Sequence, residues 1–152
     1  MKVLGLKCGR DKIAWAVLEG ETRLNAVRVD HGVVEAPKTA DRGETLVWVR
    51  REVHEMLERW SPDRVSMRLA ESVGKGNVVP RAETEGVVTE AVTSRGIVCD
   101  RLYGASVRAK FSAKTAAALT VALEQVPCIV QTPSTRRDPV IVAAAVLPKE
   151  DS

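Results

Sequence analysis

The sequence predicts an α/β fold built on a five-stranded mixed sheet, with three antiparallel strands first, parallel strands added later, and helices on both faces. Short apolar and β-branched runs separated by Gly and charged turn residues fill the first thirty positions, which is typical of a meander. Strand-like and helical segments then alternate, which is typical of parallel additions with right-handed crossovers. Hydrophobic residues make up 45% of the chain but aromatic ones only 3%, so aliphatic side chains must build a core of helices packed on a sheet.

The 152 residues suit one domain, which we expect over residues 1–148, with a disordered tail at 149–152. Leu46, Val49 and Val53 begin a three- and four-residue repeat that predicts a helix ending before Pro62. The other predicted segments follow in chain order: strands at 2–8, 12–18 and 22–29, a loop at 31–43, a strand at 63–70, a loop at 71–79, a helix at 80–94, a strand at 97–103, a helical region at 105–126 with a break near Phe111 and Ser112, and a last helix at 137–147.

The charge balance is mildly basic. The chain has 23 Lys and Arg against 20 Asp and Glu, a net charge of +3, which is less than the excess expected of a dedicated nucleic-acid binder. No acid lies between Asp100 and Glu124, and this stretch is either a phosphate-facing patch or a solvated face. The few aromatic rings argue against a protein that reads single strands by stacking.

Cys8, Cys99 and Cys128 are odd in number, lack metal-type spacing and sit in apolar runs, so we expect reduced core cysteines in a cytoplasmic protein. Met1 leads directly into a strand-like run, so no signal peptide is expected. No stretch approaches the roughly 18 to 20 apolar residues that span a bilayer, so no membrane association is expected.

The opening segments 3–10 (VLGLKCGR) and 13–17 (IAWAV) resemble the first hairpin of the RuvC branch of the ribonuclease-H-like nucleases. In that family the first strand reads apolar-Gly-apolar-Asp-Pro-Gly. The order of the predicted elements extends the resemblance over nearly the whole chain. A smaller RuvC-like group without catalytic carboxylates also carries a Lys-Gly-rich loop after the fourth strand, to which residues 73–76 (VGKG) are similar.

The chemistry that this resemblance implies needs several carboxylates around two divalent cations. Lys7 stands where the family has its first-strand Asp, and Arg68, between Met67 and Leu69, stands near the fourth-strand Glu. Asp138 is the single acid left of a pair in the last helix. A metal ion about 4 Å from the ammonium of Lys7 would be repelled by roughly 4 kcal/mol at an effective dielectric near 20. The resemblance therefore implies a degenerate site with no metal and no cofactor.

Three interpretations of individual residues remain open. Lys7 either pairs with Asp138 or contacts a phosphate. The segment 74–77 (GKGN) either cradles an anion at a helix start or is a simple loop. A reactive Cys8 beside Lys7 is disfavoured, because adjacent residues on a strand point to opposite faces. Glu83, Glu85 and Glu90 are expected on a solvated surface.

Three functions follow as hypotheses. The first is a non-catalytic RuvC-like domain that binds nucleic acid or a partner that handles it. Its candidate contacts are Lys75, Arg81, Arg101, Arg108, Lys110, Lys114, Arg136 and Arg137. The second is a structural or interaction protein, such as a homodimer paired through the edge strand at 22–29. The third is a divergent nuclease with one metal held by Asp138, Glu71 and Asp11.

Overall fold

The computed structural model describes residues 1–71 and 78–150, and a five-stranded sheet lies at its centre. Its strands are β1 Lys2–Cys8, β2 Lys12–Glu19, β3 Val27–Glu35, β4 Arg64–Arg68 and β5 Val98–Leu102. They lie in the order β3-β2-β1-β4-β5. The first three strands pair antiparallel, and β4 and β5 are parallel additions beside β1. The predicted mixed sheet is confirmed.

Helices cover both faces of this sheet. They are α1 Arg42–Trp60, α2 Val78–Ser94, α3 Gly104–Lys110, α4 Ala116–Glu124, α5 Pro127–Val130 and α6 Arg137–Ala145, with a 3-10 turn at Ser134–Arg136 before α6. The predicted break lies between α3 and α4, where Ser112 has a positive φ of 54°. Asp41 caps the start of α1 by accepting from the Glu44 N–H. None of the described helices is both long and apolar enough to cross a bilayer.

The third strand lies further along the chain than predicted, which corrects both the strand at 22–29 and the loop at 31–43. Residues before Val27 form a turn in which the Asn25 side chain accepts from the backbone N–H groups of Glu21 and Thr22. The strand then continues through Gly32, where a Cβ would lie 3.1 Å from the Trp15 ring. Gly32 therefore makes room for the Trp15 indole on the neighbouring strand. The glycine that predicts a loop here is instead required for packing within a strand.

Two apolar layers form because successive strand residues face opposite sides of the sheet. Leu4, Leu6 and Met67 are fully buried on the face that packs against α1 and α2. Val3 and Ala16 are fully buried on the other face, in the cluster that contains most of α6. The core is aliphatic, as the composition predicts.

Helix α6 lies directly on the backbone of β1. A Cβ built on Gly5 would lie 1.9 Å from the Pro139 carbonyl oxygen and 2.9 Å from the Ala143 Cβ. The Ser66 hydroxyl of β4 donates to the Val142 carbonyl oxygen at 2.6 Å, which fixes the same helix over the centre of the sheet. The first turn of α6 is thereby placed over the carboxyl end of β1.

Replacing Gly5 with Ala should destabilise the fold by about 1–3 kcal/mol or more, because the backbone of α6 would have to move to admit the methyl group. Urea unfolding followed by circular dichroism measures this change. Gly86→Ala is the matched control, since Gly86 is exposed in α2 and a Cβ there meets no atom within 4 Å. The control should gain about 0.5–1 kcal/mol. Equal stability of Gly5→Ala and the native protein would show that α6 does not pack as described.

Candidate functional site

The carboxyl end of β1 brings together the three positions that the sequence aligns with a nuclease site. Lys7 of β1 is the register partner of Arg68 on β4, so the two side chains leave the sheet on the same face. This is the face of Gly5 and of α6. Because α6 begins at Arg137, Asp138 in its first turn lies above Lys7.

The Lys7 ammonium donates to Asp138 Oδ2 at 2.5 Å. The Lys7 side chain is 38% exposed and that of Asp138 is 54% exposed, so water screens the pair. An ion pair in such a setting contributes about 0–1 kcal/mol to folding. The structure shows Lys7 paired with Asp138 rather than free to contact a phosphate. Because this ion pair is weak, the ammonium can exchange Asp138 for another anion.

Arg68 is engaged on the side of β5. Its Nη1 donates to the Leu69 carbonyl oxygen at 2.7 Å, and its Nη2 donates to Glu71 Oε1 at 3.2 Å. The same Glu71 oxygen accepts the N–H of Gly104 at 2.9 Å. The hydrogen bond from the Gly104 N–H lowers the pKa of the Glu71 carboxyl most, and the Arg68 guanidinium lowers it further. Glu71 is therefore held as an anion by two donors of the chain itself.

A cavity of about 320 Å³ opens beside Lys7. Lys12 and Arg81 also line it, so three cations and the single carboxylate of Asp138 face this space. The Thr135 hydroxyl group is a further polar neighbour. The arrangement suits an anionic ligand, because three cationic side chains that can donate hydrogen bonds line the cavity and Asp138 is the one carboxylate among the lining residues that the structure describes.

Lys12 is a site residue that the sequence analysis missed. The signal is present in the hairpin: Cys8 pairs with Ile13, so the turn at Gly9 returns the chain beside the end of β1 and places Lys12 next to it. A Cβ on Gly9 would lie 3.1 Å from the Lys12 Cγ, which shows how closely the lysine stem covers the turn. Lys12 is exposed and lines the cavity together with Lys7 and Arg81.

Arg81 is held in place by Glu85, and this corrects the expectation of a solvated Glu85. Glu85 is only 4% exposed, and its Oε2 accepts the Ala70 N–H at 2.9 Å and the Arg81 Nε at 3.2 Å. Arg81 Nη2 also donates to the Arg68 carbonyl oxygen at 3.3 Å. One turn of α2 separates Arg81 from Glu85, and the Arg68 carbonyl oxygen at the end of β4 is the second acceptor for Arg81.

Within the described ranges, the remaining predicted basic residues do not line this cavity. Arg101 is the register partner of buried Met67, so it lies on the opposite face of the sheet. Arg137 donates to the carbonyl oxygens of Thr132 at 2.7 Å and Val130 at 3.1 Å, at the end of α5.

The basic stretch after β5 is also dispersed. Arg108 and Lys114 line a separate depression beside α3, while Lys110 lies at the end of that helix. Arg136 lies near His31, whose pKa is lowered first by burial and then by the Arg28 and Arg136 charges. Lys75 falls outside the described residues.

The acids near the site are separately engaged. Asp138 pairs with Lys7, and Glu71 pairs with Arg68 and the Gly104 N–H. Within residues 1–71 and 78–150, no group of three or more His, Cys, Asp or Glu side chains is placed to hold a metal ion.

The Cys8 thiol faces away from Lys7. Cys8 is 2% exposed, and its sulfur lies 3.8 Å from the Met67 sulfur in the core under α1 and α2. Burial raises the pKa of the Cys8 thiol to about 12. A thiol in this setting stays protonated and unreactive near neutral pH.

The comparisons with known proteins agree in fold. No family model matches the chain. A stretch of 66 residues is 36% identical to the crossover junction endodeoxyribonuclease RuvC of Synechocystis sp., covering 43% of this chain and 40% of that protein. The protein of the same name from Synechococcus sp. is 21% identical over 97 residues, covering 64% of this chain and 62% of that protein. The chain thus matches less than two thirds of the length of either curated relative.

Three solved structures superpose over almost the whole chain. Thermus thermophilus RuvC has a TM-score of 0.76 at 18% identity, covering 95% of this chain and 92% of that one. The same protein in complex with a Holliday junction substrate gives 0.74 at 18% identity, covering 95% and 91%. The yeast mitochondrial Holliday junction resolvase Ydc2 gives 0.64 at 10% identity, covering 94% and 77%. The chain therefore has the RuvC-like form of the ribonuclease-H-like fold.

Proposed function

We propose that this chain is a non-catalytic RuvC-like domain that binds branched DNA through the cavity at the carboxyl end of β1. The observation that carries the proposal is the Lys7 ammonium, which stands where the resemblance implies a metal-binding Asp and which shares its cavity with Lys12 and Arg81. A divalent cation and an ammonium group both attract phosphate oxygens. Only the former can also activate water for cleavage.

The electrostatics of the cavity favour phosphate over metal. Lys7 is a compact charge with three donors, and Arg81 is fixed by Glu85 at the other side of the space. Since the Lys7–Asp138 pair is exposed, exchanging Asp138 for a phosphate oxygen costs little. Lys7 is paired with Asp138 and Arg81 with Glu85, and Lys12 adds a further positive charge, so the surroundings of the cavity are net positive and suit a phosphodiester backbone.

The donors present do not fit the two divalent ions of the nucleases in this fold. Lys7 Nζ lies against the Asp138 oxygen that a metal would need, and Arg68 lies against Glu71 in the same way. An added cation about 4 Å from the ammonium would be repelled by roughly 4 kcal/mol at an effective dielectric near 20. The single-metal alternative through Asp138, Glu71 and Asp11 has no support, because Asp138 and Glu71 are already paired with cations of the chain.

The relatives suggest which nucleic acid to test. The similar curated proteins are named crossover junction endodeoxyribonucleases, and one similar structure contains a Holliday junction substrate. We therefore take a four-way junction as the ligand of the proposal. The reduced cysteines of the sequence, all three free of disulfides here, suit the reducing compartment in which DNA is handled.

Junction binding should need no divalent metal and should depend on Lys7 and Lys12. Fluorescence anisotropy with a labelled four-way junction, in chelator and at about 50 mM salt, should give saturable binding that falls steeply as salt rises. Lys7→Ala and Lys12→Ala should each weaken binding about tenfold, near 1.4 kcal/mol. Each should also reduce the slope of log affinity against log salt concentration by about one, the loss of one phosphate contact. Arg101→Ala, an exposed arginine on the other face, is the matched control and should bind like the native protein.

Asp138→Asn separates the two readings of the site. In the proposal this change frees the Lys7 ammonium, so the junction should bind more tightly and stay uncut when Mg²⁺ or Mn²⁺ is added. Metal-dependent cleavage by the native chain that Asp138→Asn abolishes would contradict the proposal. So would the absence of junction binding at low salt.

A second candidate function, pairing of two copies through the sheet edge, is favoured by β3. This edge strand contains neither Pro nor Lys and exposes Val27, Val29 and Val33 at 63%, 44% and 36%. The unpaired backbone N–H and C=O groups of an edge strand template pairing with another strand, although β3 also carries Arg28 and Asp30 between its valines and Glu35 at its end. Here the edge is Val27–Glu35 rather than the predicted 22–29.

Sedimentation equilibrium tests the pairing. A dimer that Val29→Lys converts to a monomer would support the edge interface, since a charged residue on an edge strand opposes strand addition. Val121→Lys on exposed α4 is the control and should leave the dimer intact. A native monomer at high protein concentration would remove this second candidate.

A further inference from the structure

A second cavity, of about 530 Å³, lies at the far end of α6 from Asp138. It is enclosed by the turn before β3, the ends of α3 and α6, and one side of α4. Seven residues of α6 separate Asp138 from Ala145, which is about 10 Å of helix. The volume falls in the range of roughly 300–1,000 Å³ that is typical of small-molecule sites. This cavity shares no lining residue with the one at Lys7.

Arg23 lines this cavity in a fixed position. It is only 7% exposed. Its Nε donates to the Ala144 carbonyl oxygen at 2.9 Å, and its Nη2 donates to those of Lys110 and Ala145 at 2.8 and 3.0 Å. The guanidinium carbon lies 4.3 Å from the centroid of the Phe111 ring. Two helix ends and an aromatic face therefore hold the group rigidly before any ligand arrives.

The charge of Arg23 is incompletely compensated. No salt bridge joins it to a carboxylate among the residues that the structure describes, although Glu150 also lines the cavity. The carbonyl ends of α3 and α6 carry only a partial negative charge, roughly half an elementary charge for a full helix. Burial lowers the pKa of Arg23, as expected for a cation taken out of water without an anion.

One face of the guanidinium is still available. In the described part of the chain Nε and Nη2 make all the hydrogen bonds of this group, and Nη1 donates to no acceptor. Nη1 is not among the buried polar atoms that lack a partner, so it is accessible from the cavity. Its two N–H bonds can therefore donate to the anionic group of a ligand in the cavity, in a hydrogen bond that the guanidinium charge strengthens.

The rest of the lining is largely apolar. Phe111, Val126 and Leu147 belong to the core on the α6 face and expose only one side to the cavity. Ala122 on α4 leaves space where a larger side chain would fill it. Lys110 and Lys149 are exposed lining residues and add positive charge. A ligand that satisfies all these groups carries one anionic end and one hydrophobic body.

We propose that this cavity binds a small amphipathic organic anion, with its carboxylate on Nη1 of Arg23 and its aromatic or aliphatic body against Phe111 and Val126. The site is independent of junction binding, because it lies at the other end of α6 and involves none of the residues around Lys7. Its ligand class follows from a buried, fixed cation at one end of an apolar space.

Phenylpropionate and its neutral analogue phenylpropanol are the probes, and amide NMR spectra of the full chain are the measurement. Phenylpropionate should cause saturable shifts at Phe111, Val126 and Leu147, and phenylpropanol should bind at least tenfold more weakly, the equivalent of about 1.4 kcal/mol. Arg23→Lys keeps the charge but removes the Nη1 donor and the hydrogen bonds that fix the group, so it should weaken phenylpropionate binding and leave phenylpropanol binding unchanged.

Ala122→Trp should fill the cavity and abolish the shifts, whereas Val121→Trp, one residue earlier and 60% exposed, should leave them as in the native chain. Lys7→Ala should bind phenylpropionate normally, which separates this site from the DNA site. Equal affinity for the acid and the alcohol would overturn the proposal, as would the absence of saturable shifts at about 10 mM acid. Binding seen only after Glu150→Gln would also overturn it, because Glu150 would then be the occupant.

Discussion

The close approach of α6 to β1 at Gly5 is the constraint on which the arrangement of the rest depends. A helix backbone can lie this near a strand only where the strand has no side chain, and the Pro139 carbonyl oxygen occupies the space of the missing Cβ. That contact places Asp138 over Lys7 at one end of the helix. At the other end it presents the Ala144 and Ala145 carbonyl oxygens to Arg23. Both cavities are therefore defined by the position of one helix.

The charges around each of the two cavities determine which class of ligand it suits. At Lys7 there are several cations, Lys7 and Arg81 are only partly exposed, and the neighbouring acids are already paired, which is why we propose a nucleic-acid backbone as the ligand there. At Arg23 the cation is single, buried and surrounded by apolar walls, so the space favours a small anion with a hydrophobic body. The fold supplies the scaffold for both sites, and individual side chains determine the chemistry.

The sequence predicts the mixed sheet and the position of Lys7 at the carboxyl end of β1, because local periodicity and the Gly9 turn determine the first hairpin. It misplaces β3, because Gly32 is required by the Trp15 ring on a neighbouring strand and not by a turn. It misjudges Glu85, which becomes buried only when Ala70 and Arg81 supply donors from other elements. Contacts such as that of Glu85 with Ala70 join different elements of the fold, so they cannot be predicted from the spacing of residues along one helix.

We propose that the Lys7 ammonium at the end of β1 occupies the place where divalent cations would need oxygen ligands. Paramagnetic broadening of amide NMR signals by Mn²⁺ tests it most directly, because it reports metal proximity residue by residue. Only weak, unsaturable broadening is expected at Gly9 and Asp138, no stronger than at exposed acids such as Glu90 on α2. Saturable broadening centred on Asp138, removed by Asp138→Asn, would contradict it.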